Sequence, residues 1–183
     1  MTEALNSPGV VALDDVAHRI AVRLRGHAPI DRTLYVLSEA ANHSMLWHGI
    51  NLADAIVPGP TRARRARRAL RRSAIIATEQ ALVNGPVKMV VKRKRPTALD
   101  SHPYRLRSPR TSSFPSGHAS AGACAATLLS RDLGAAPVWW SLAALVAWSR
   151  VHVGVHHASD VVGGVAVGRT LARVAGRLWP PPS

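Results

Sequence analysis

The chain has 183 residues, 47% of them hydrophobic but only 4% aromatic, and its 24 Lys and Arg against 10 Asp and Glu give a formal net charge of +14. That length suits one domain, and a single cysteine, Cys124, excludes an internal disulfide and any multi-cysteine zinc site. So strong a positive charge points to phosphate-bearing partners, either nucleic acid or a membrane surface and its lipids.

Residues 1–30 are polar and mixed, without the clean apolar core of a signal peptide. Val10-Val11-Ala12-Leu13, Val16, Ile20, Ala21 and Leu24 predict an amphipathic N-terminal segment, a surface or interfacial helix. Residues 31–183 read as a single helical-bundle domain with a motif core at 73–170. Residues 33–57 are moderately apolar, and Pro58-Gly59-Pro60 stops them. In TRARRARRALRR, residues 61–72, Ala63, Ala66 and Leu70 keep a helical spacing that leaves the arginines to coat the other faces. This is a solvated basic helix or an anchor on anionic lipid. No base-reading or stacking side chains accompany it, so nucleic acid is not an expected partner.

An apolar segment follows at 73–91, with a bend expected at Gly85-Pro86. It runs into Lys92-Arg93-Lys94-Arg95-Pro96 and then a loop by composition at 97–114. Small apolar residues fill 119–130, Arg131-Asp132-Leu133-Gly134 breaks the run, and further apolar stretches occupy 136–148 and 161–178. About four segments approach the roughly 20 residues a spanning helix needs. The mean hydropathy of +0.03 is low because arginines mask them. Small residues at Gly164, Gly168 and Ala119–Ala126 let helices approach closely, as membrane interfaces favour. No strand-like alternation persists. The expected fold is all-α, a membrane helical bundle of about four to six helices with the active site at one membrane face. Arginines at 61–72 favour a cytoplasmic position for that end, which puts the site on the extracytoplasmic face of the cell membrane.

The polar residues that interrupt these segments carry the chemistry. Lys88 and Arg95 are seven apart, two turns of one helix if it persists to Pro96. Ser116 and Gly117 stand where a helix beginning at His118 leaves its backbone N–H groups unpaired, an anion-binding terminus. Arg150 ends one apolar segment, and His156 and Asp160 follow at an i, i+4 spacing. Brought together, these groups suit a phosphate dianion undergoing displacement. Lys88, Arg95 and Arg150 neutralise its oxygens, and the amides near Ser116 and Gly117 stabilise charge that grows in the transition state. One histidine can attack phosphorus while another protonates the departing alkoxide. Asp160 would accept the Nδ1 proton of His156 and leave Nε2 as nucleophile. Asp160 is the one carboxylate in the cluster, with Asp100 and Asp132 expected in loops. Two-metal chemistry therefore fits less well than a mechanism with no metal and no cofactor.

Three stretches resemble the signature of the type 2 phosphatidic acid phosphatase superfamily: KMVVKRKRP (88–96), PSGH (115–118) and SRVHVGVHHASD (149–160). The resemblance covers roughly residues 70–170. It implies a helical bundle and metal-independent hydrolysis of a lipid phosphate monoester or pyrophosphate through a phosphohistidine. It also implies His156 as nucleophile, His118 as general acid and Asp160 as orienting group, with Lys88, Arg95, Ser116, Gly117 and Arg150 around the phosphate. Phosphatidate, phosphatidylglycerol phosphate, a polyprenyl pyrophosphate and a decaprenyl-linked phosphosugar would all suit such a site. The chain departs from many members in having His157 and Ala158 after the nucleophile and His152 where tyrosine is common. The alternatives are a vanadate-dependent haloperoxidase, built on the same site in longer chains, and a non-catalytic basic membrane-binding protein. The last leaves His118, His156 and Asp160 unexplained.

Overall fold

The computed structural model describes residues 2–96 and 111–182. Among them every regular element is helical: α1 (Thr2–Leu5), α2 (Pro8–Leu24), α3 (Ala28–Ala40), α4 (Met45–Ile56), α5 (Arg62–Leu82), α6 (Lys88–Val90), α7 (Gly117–Leu133), α8 (Ala136–His152) and α9 (Ala158–Leu178). The expectation of an all-α chain holds. Most of the loop expected at 97–114, with Asp100, lies outside the described residues.

α7 is the centre, packed against α5, α8 and α9, while α4 lies on α5, α3 on α8, and α2 on α8 and α9. Trp47, Ile76, Leu128, Leu129 and Val146 form the main core with the alanines of α7. The approach of α9 to α7 depends on missing side chains. A Cβ at Gly164 would lie 2.5 Å from the Ser116 carbonyl oxygen, and one at Gly168 would lie 2.0 Å from that of Ser120. Only glycine lets the two backbones come so near.

Four expectations need correction. The apolar stretch 33–57 is two helices, because His43 and Ser44 take left-handed backbone (φ 50° and 61°) and turn the chain between them. Residues 61–72 and the first part of the next apolar segment form one continuous helix, α5. On it Leu70 is 72% exposed while Arg71 and Arg72 are buried. Arg72 donates to Asp54 and to Asp132, the latter at 3.2 Å, and Asp132 closes α7 rather than standing in a loop. The desolvation cost of burying these arginines is offset only because the carboxylates, and for Arg71 the Trp179 carbonyl, meet them. Third, no helix persists from Lys88 to Pro96. Pro86 sits in a π-helical turn, Val83–Val87, and Val91–Pro96 has no helical structure after the three residues of α6.

Fourth, among the described residues no helix is long and apolar enough to cross a membrane. α7 and α8 have 17 residues each, about 25 Å at the α-helical rise, against about 30 Å of hydrocarbon. α9 is longer but carries Arg169, Arg173 and Arg177.

Replacing Gly168 with alanine is expected to destabilise the fold by about 1–3 kcal/mol, the usual cost of overpacking. Gly49→Ala in α4, where nothing lies within 4 Å of the new methyl, should not destabilise it. Thermal unfolding of the two variants checks the contrast.

Candidate active site

Ser116 N-caps α7, its hydroxyl accepting the Ala119 amide at 3.5 Å, so that part of its hydrogen-bonding capacity serves the helix. Its own amide donates to the Asp160 carbonyl at 2.9 Å. This bond ties the PSGH turn to the first turn of α9. The Gly117 carbonyl accepts from Gln80 Nε2 at 3.0 Å. His118 follows, with Nε2 at 3.0 Å from Asn42 Oδ1. The Asn42 amide nitrogen donates to Glu39 Oε2 at 3.1 Å, which fixes its oxygen towards the imidazole and puts the shared proton on His118 Nε2.

α8 ends at His152, and the loop Val153–His157 folds back so that the Arg150 carbonyl accepts the Val155 and His156 amides, each at 3.2 Å. Gly154, at φ 75°, makes this reversal possible. The buried His156 ring is thereby set beside two groups. Its Nε2 lies 3.3 Å from Arg95 Nη1. A guanidinium can only donate, so Nε2 is the unprotonated nitrogen and Nδ1 carries the hydrogen. Nδ1 points to Asp160 Oδ2 at 3.6 Å, longer than a hydrogen bond, and has no other partner among the described residues. Asp160 itself is firmly held: Oδ2 accepts the His157 amide at 2.8 Å, and Oδ1 accepts Arg93 Nη1 at 2.6 Å.

The cations converge as their spacing suggested, though by a different route. Arg95 is placed by the extended strand of chain after α6, donating to the carbonyls of Val155 (2.8 Å) and Ser112 (3.2 Å). Arg150 is buried and donates to the Ser38 hydroxyl, and its Nε has no partner among the described residues. Lys88 is buried within electrostatic reach of Arg95, Arg150 and Asp160. His118 in turn feels Arg150, His156 and Lys88. All eight residues singled out from the sequence thus lie at one end of the bundle.

Burial, reinforced by Arg95 and Arg150, lowers the Lys88 ammonium to about 8. In the loop after α8, burial lowers His156 to about 4; Asp160 opposes this while Arg95 and Arg150 add to it. His156 is therefore neutral at pH 7, with its Nε2 lone pair turned towards the cations. A cavity of about 240 Å³ opens beside it, lined by Asp14, Asp15, His18, Pro96, Gly154 and His157 among others. A larger cavity of about 380 Å³ lies at the opposite end, among Asp54, Arg64, Arg65 and Arg68, and shares no residue with this site.

Sequence reasoning missed Ser38, Asn42, Arg93 and Asp14. Arg93 was hidden in a run of four basic residues, and the other three belong to helices or turns that no spacing rule connects to the motifs. His152, one of the departures from the signature, is buried with Nε2 at 2.7 Å from Asp31 Oδ1, a contact that fastens α3 to α8.

A family model described as the PAP2 superfamily matches residues 69–181. The chain is 34% identical over 154 residues to a decaprenylphosphoryl-5-phosphoribose phosphatase of Mycolicibacterium smegmatis, covering 82% of this chain and 80% of the relative. A protein of the same name from Mycobacterium tuberculosis is 33% identical over 168 residues, covering 87% and 88%. Among solved structures, the transmembrane PAP2 type phosphatidylglycerolphosphate phosphatase from Bacillus subtilis shares the fold, with a TM-score of 0.72 at 24% identity over 96% of this chain and 89% of that one.

The depressed Lys88 ammonium gives a pH signature. A bound dianion needs it charged, so the Kd of inorganic phosphate is expected to rise by roughly tenfold per pH unit as pH climbs through and beyond about 8. Phosphate itself is largely dianionic there and only gains charge as pH rises, so its own titration does not weaken binding. Lys88→Met should bind more weakly at pH 7 and lack the slope, as isothermal titration would record.

Proposed function

This chain belongs to the PAP2 superfamily, and from that premise we propose that it is a lipid phosphate phosphatase working without metal through a phosphohistidine on His156. The observation that carries the reading is the His156 ring itself: neutral, buried, with unprotonated Nε2 facing Arg95 and Nδ1 turned to an anchored Asp160. Lys88, Arg95 and Arg150 supply the positive charge that metal ions provide in other phosphatases. With Ser116 and Gly117 at the open first turn of α7, they hold the phosphate.

In the first step the Nε2 lone pair attacks phosphorus and the P–O bond to the leaving group breaks. His118, charged as imidazolium once the phosphate dianion offsets the surrounding cations, gives its Nε2 proton to the departing alkoxide and becomes a neutral imidazole. The alkoxide oxygen takes the place of Asn42 Oδ1. In the second step His118 accepts a proton from water, the oxygen of that water bonds to phosphorus, and the P–N bond to His156 breaks. Asp160 offsets the positive charge on the imidazole between the steps. Inorganic phosphate leaves, and both histidines regain their starting forms.

The relatives named for decaprenylphosphoryl-5-phosphoribose favour a prenyl-linked phosphosugar as substrate. The polar cavity beside His156 offers Asp15, His18 and His157 to sugar hydroxyls. We place the chain in the cell membrane. Exposed apolar side chains on α4 (Met45, Leu52, Ile56), α8 (Val138, Leu145) and α9 (Val162, Val174) would face lipid. The bundle end opposite the site carries Arg64, Arg65, Arg68 and Arg131, and positive-inside bias turns that end to the cytoplasm and the site outward.

Phosphate release from a lipid-linked pentose 5-phosphate, phosphatidate and phosphatidylglycerol phosphate, in detergent, tests this. Activity should survive EDTA, fall with orthovanadate and vanish in His156→Ala; sensitivity to chelation would sink the metal-free mechanism. His118→Ala should lose about 10²–10⁴-fold on lipid substrates and much less on p-nitrophenyl phosphate, whose leaving group needs no proton. An equal loss on both would mean that His118 only positions the phosphate.

A further inference from the structure

Arg93 stands between two carboxylates from distant parts of the chain. Nη1 donates to Asp160 Oδ1 at 2.6 Å and to Ser159 Oγ at 2.7 Å, and Nη2 donates to Asp14 Oδ2 at 2.8 Å. Asp14 lies on the buried face of α2, and its carboxylate completes the network. Oδ1 accepts the Ser159 amide and Oδ2 the Ser159 hydroxyl, both at 2.8 Å. One carboxylate thus caps the first turn of α9 while holding the guanidinium that holds Asp160.

Attachment of α2 does not need this arrangement. Ala17 and Ala21 already pack on Val151, and Arg25 at the end of the helix donates to the His152 carbonyl at 2.8 Å. A buried ion pair adds little net stability over apolar packing, and its value lies in geometry. Here the geometry concerns one side chain. With Oδ1 fixed by Arg93 and Oδ2 by the His157 amide, Asp160 keeps a single orientation towards His156 Nδ1. Asp14 decides where Arg93 sits, because a planar fork spans both carboxylates at once and a lysine cannot. Asp14 also lies before the residues that the family model matches, 69–181, so the signature is blind to it.

We propose that Asp14, acting through Arg93, is a positioning residue for the Asp160–His156 pair, so that the N-terminal helix is a working part of the catalytic site. The inference rests on the phosphohistidine reading above.

Asp14→Asn keeps the shape and an acceptor for the Ser159 amide but loses the charge that draws Arg93. Arg93→Lys keeps the charge but cannot bridge the two carboxylates. On p-nitrophenyl phosphate, with the intact chain in detergent, each variant is expected to lose about 10–100-fold in kcat, as removed outer-shell partners do. KM should change by no more than about twofold, since Lys88, Arg95 and Arg150 stay in place. The double variant should be no worse than the poorer single one, because one linkage is broken twice. A thermal transition establishes folding, and if Asp14→Asn lacks one, Arg93→Lys decides on the same kcat criterion. Unchanged kcat, a loss confined to KM, or multiplying losses in the double variant would overturn the positioning role, provided the wild type is active and His156→Ala is dead. An inactive wild type, or a fully active His156→Ala, overturns the phosphohistidine reading and this inference with it.

Discussion

The seam between α7 and α9 is the constraint on which the site depends. Gly164 and Gly168 let α9 lie against the carbonyls of Ser116 and Ser120, and across that contact the Ser116 amide bonds to the Asp160 carbonyl. Two of the three motifs are thereby joined through backbone, the least adjustable part of the chain. Side chains at 116–118 and at 156–160 inherit their relation from this junction. The third motif arrives separately, after the π-helical turn of Val83–Val87, and is anchored by Arg95 on the carbonyls of Val155 and Ser112.

What the seam assembles is electrostatically uneven. Lys88, Arg95 and Arg150 crowd together near two carboxylates that already have partners, Asp160 held by Arg93 and Glu39 by Asn42. Burial first, and then repulsion from Arg95 and Arg150, lowers the Lys88 ammonium, and holds on carbonyls and on Ser38 keep the arginines from swinging out to water. In the function proposed above, an arriving phosphate dianion would relieve the repulsion between donors already held in place. That is the condition for fixed charges to act on a transition state rather than merely on a ground state.

Much of this was legible in the sequence because the chemistry restricts residue type. Only certain residues can hold a phosphate or attack it, and their order and spacing at 88–95, 115–118 and 150–160 carry the resemblance to the superfamily whose model matches residues 69–181. The all-α character followed from the small-residue runs and the absence of alternation. Other features were not legible, for physical reasons. The spacing of Ala63, Ala66 and Leu70 pointed to an inward apolar face, yet those three are exposed and the buried residues of 61–72 are Ala69, Arg71 and Arg72. A buried cation is permitted only by its partners, and Asp54 and Asp132 are far off in sequence. The condition that one helix persist from Lys88 to Pro96 is not met: α6 ends at Val90, and Pro86 already disturbs the backbone hydrogen bonding upstream. Length in an apolar run also did not translate into a spanning helix, since arginines fall within α9 and α7 stops at Gly134.

Ser38 and Asn42 come from the first quarter of the chain, yet one grips Arg150 and the other shares a proton with His118. The signature of the family begins well after them. A gene fragment trimmed to its recognisable portion would therefore keep every diagnostic letter and lose the partners that aim them. The hydrogen-bonded site reaches further back along the chain than the pattern by which the family is detected.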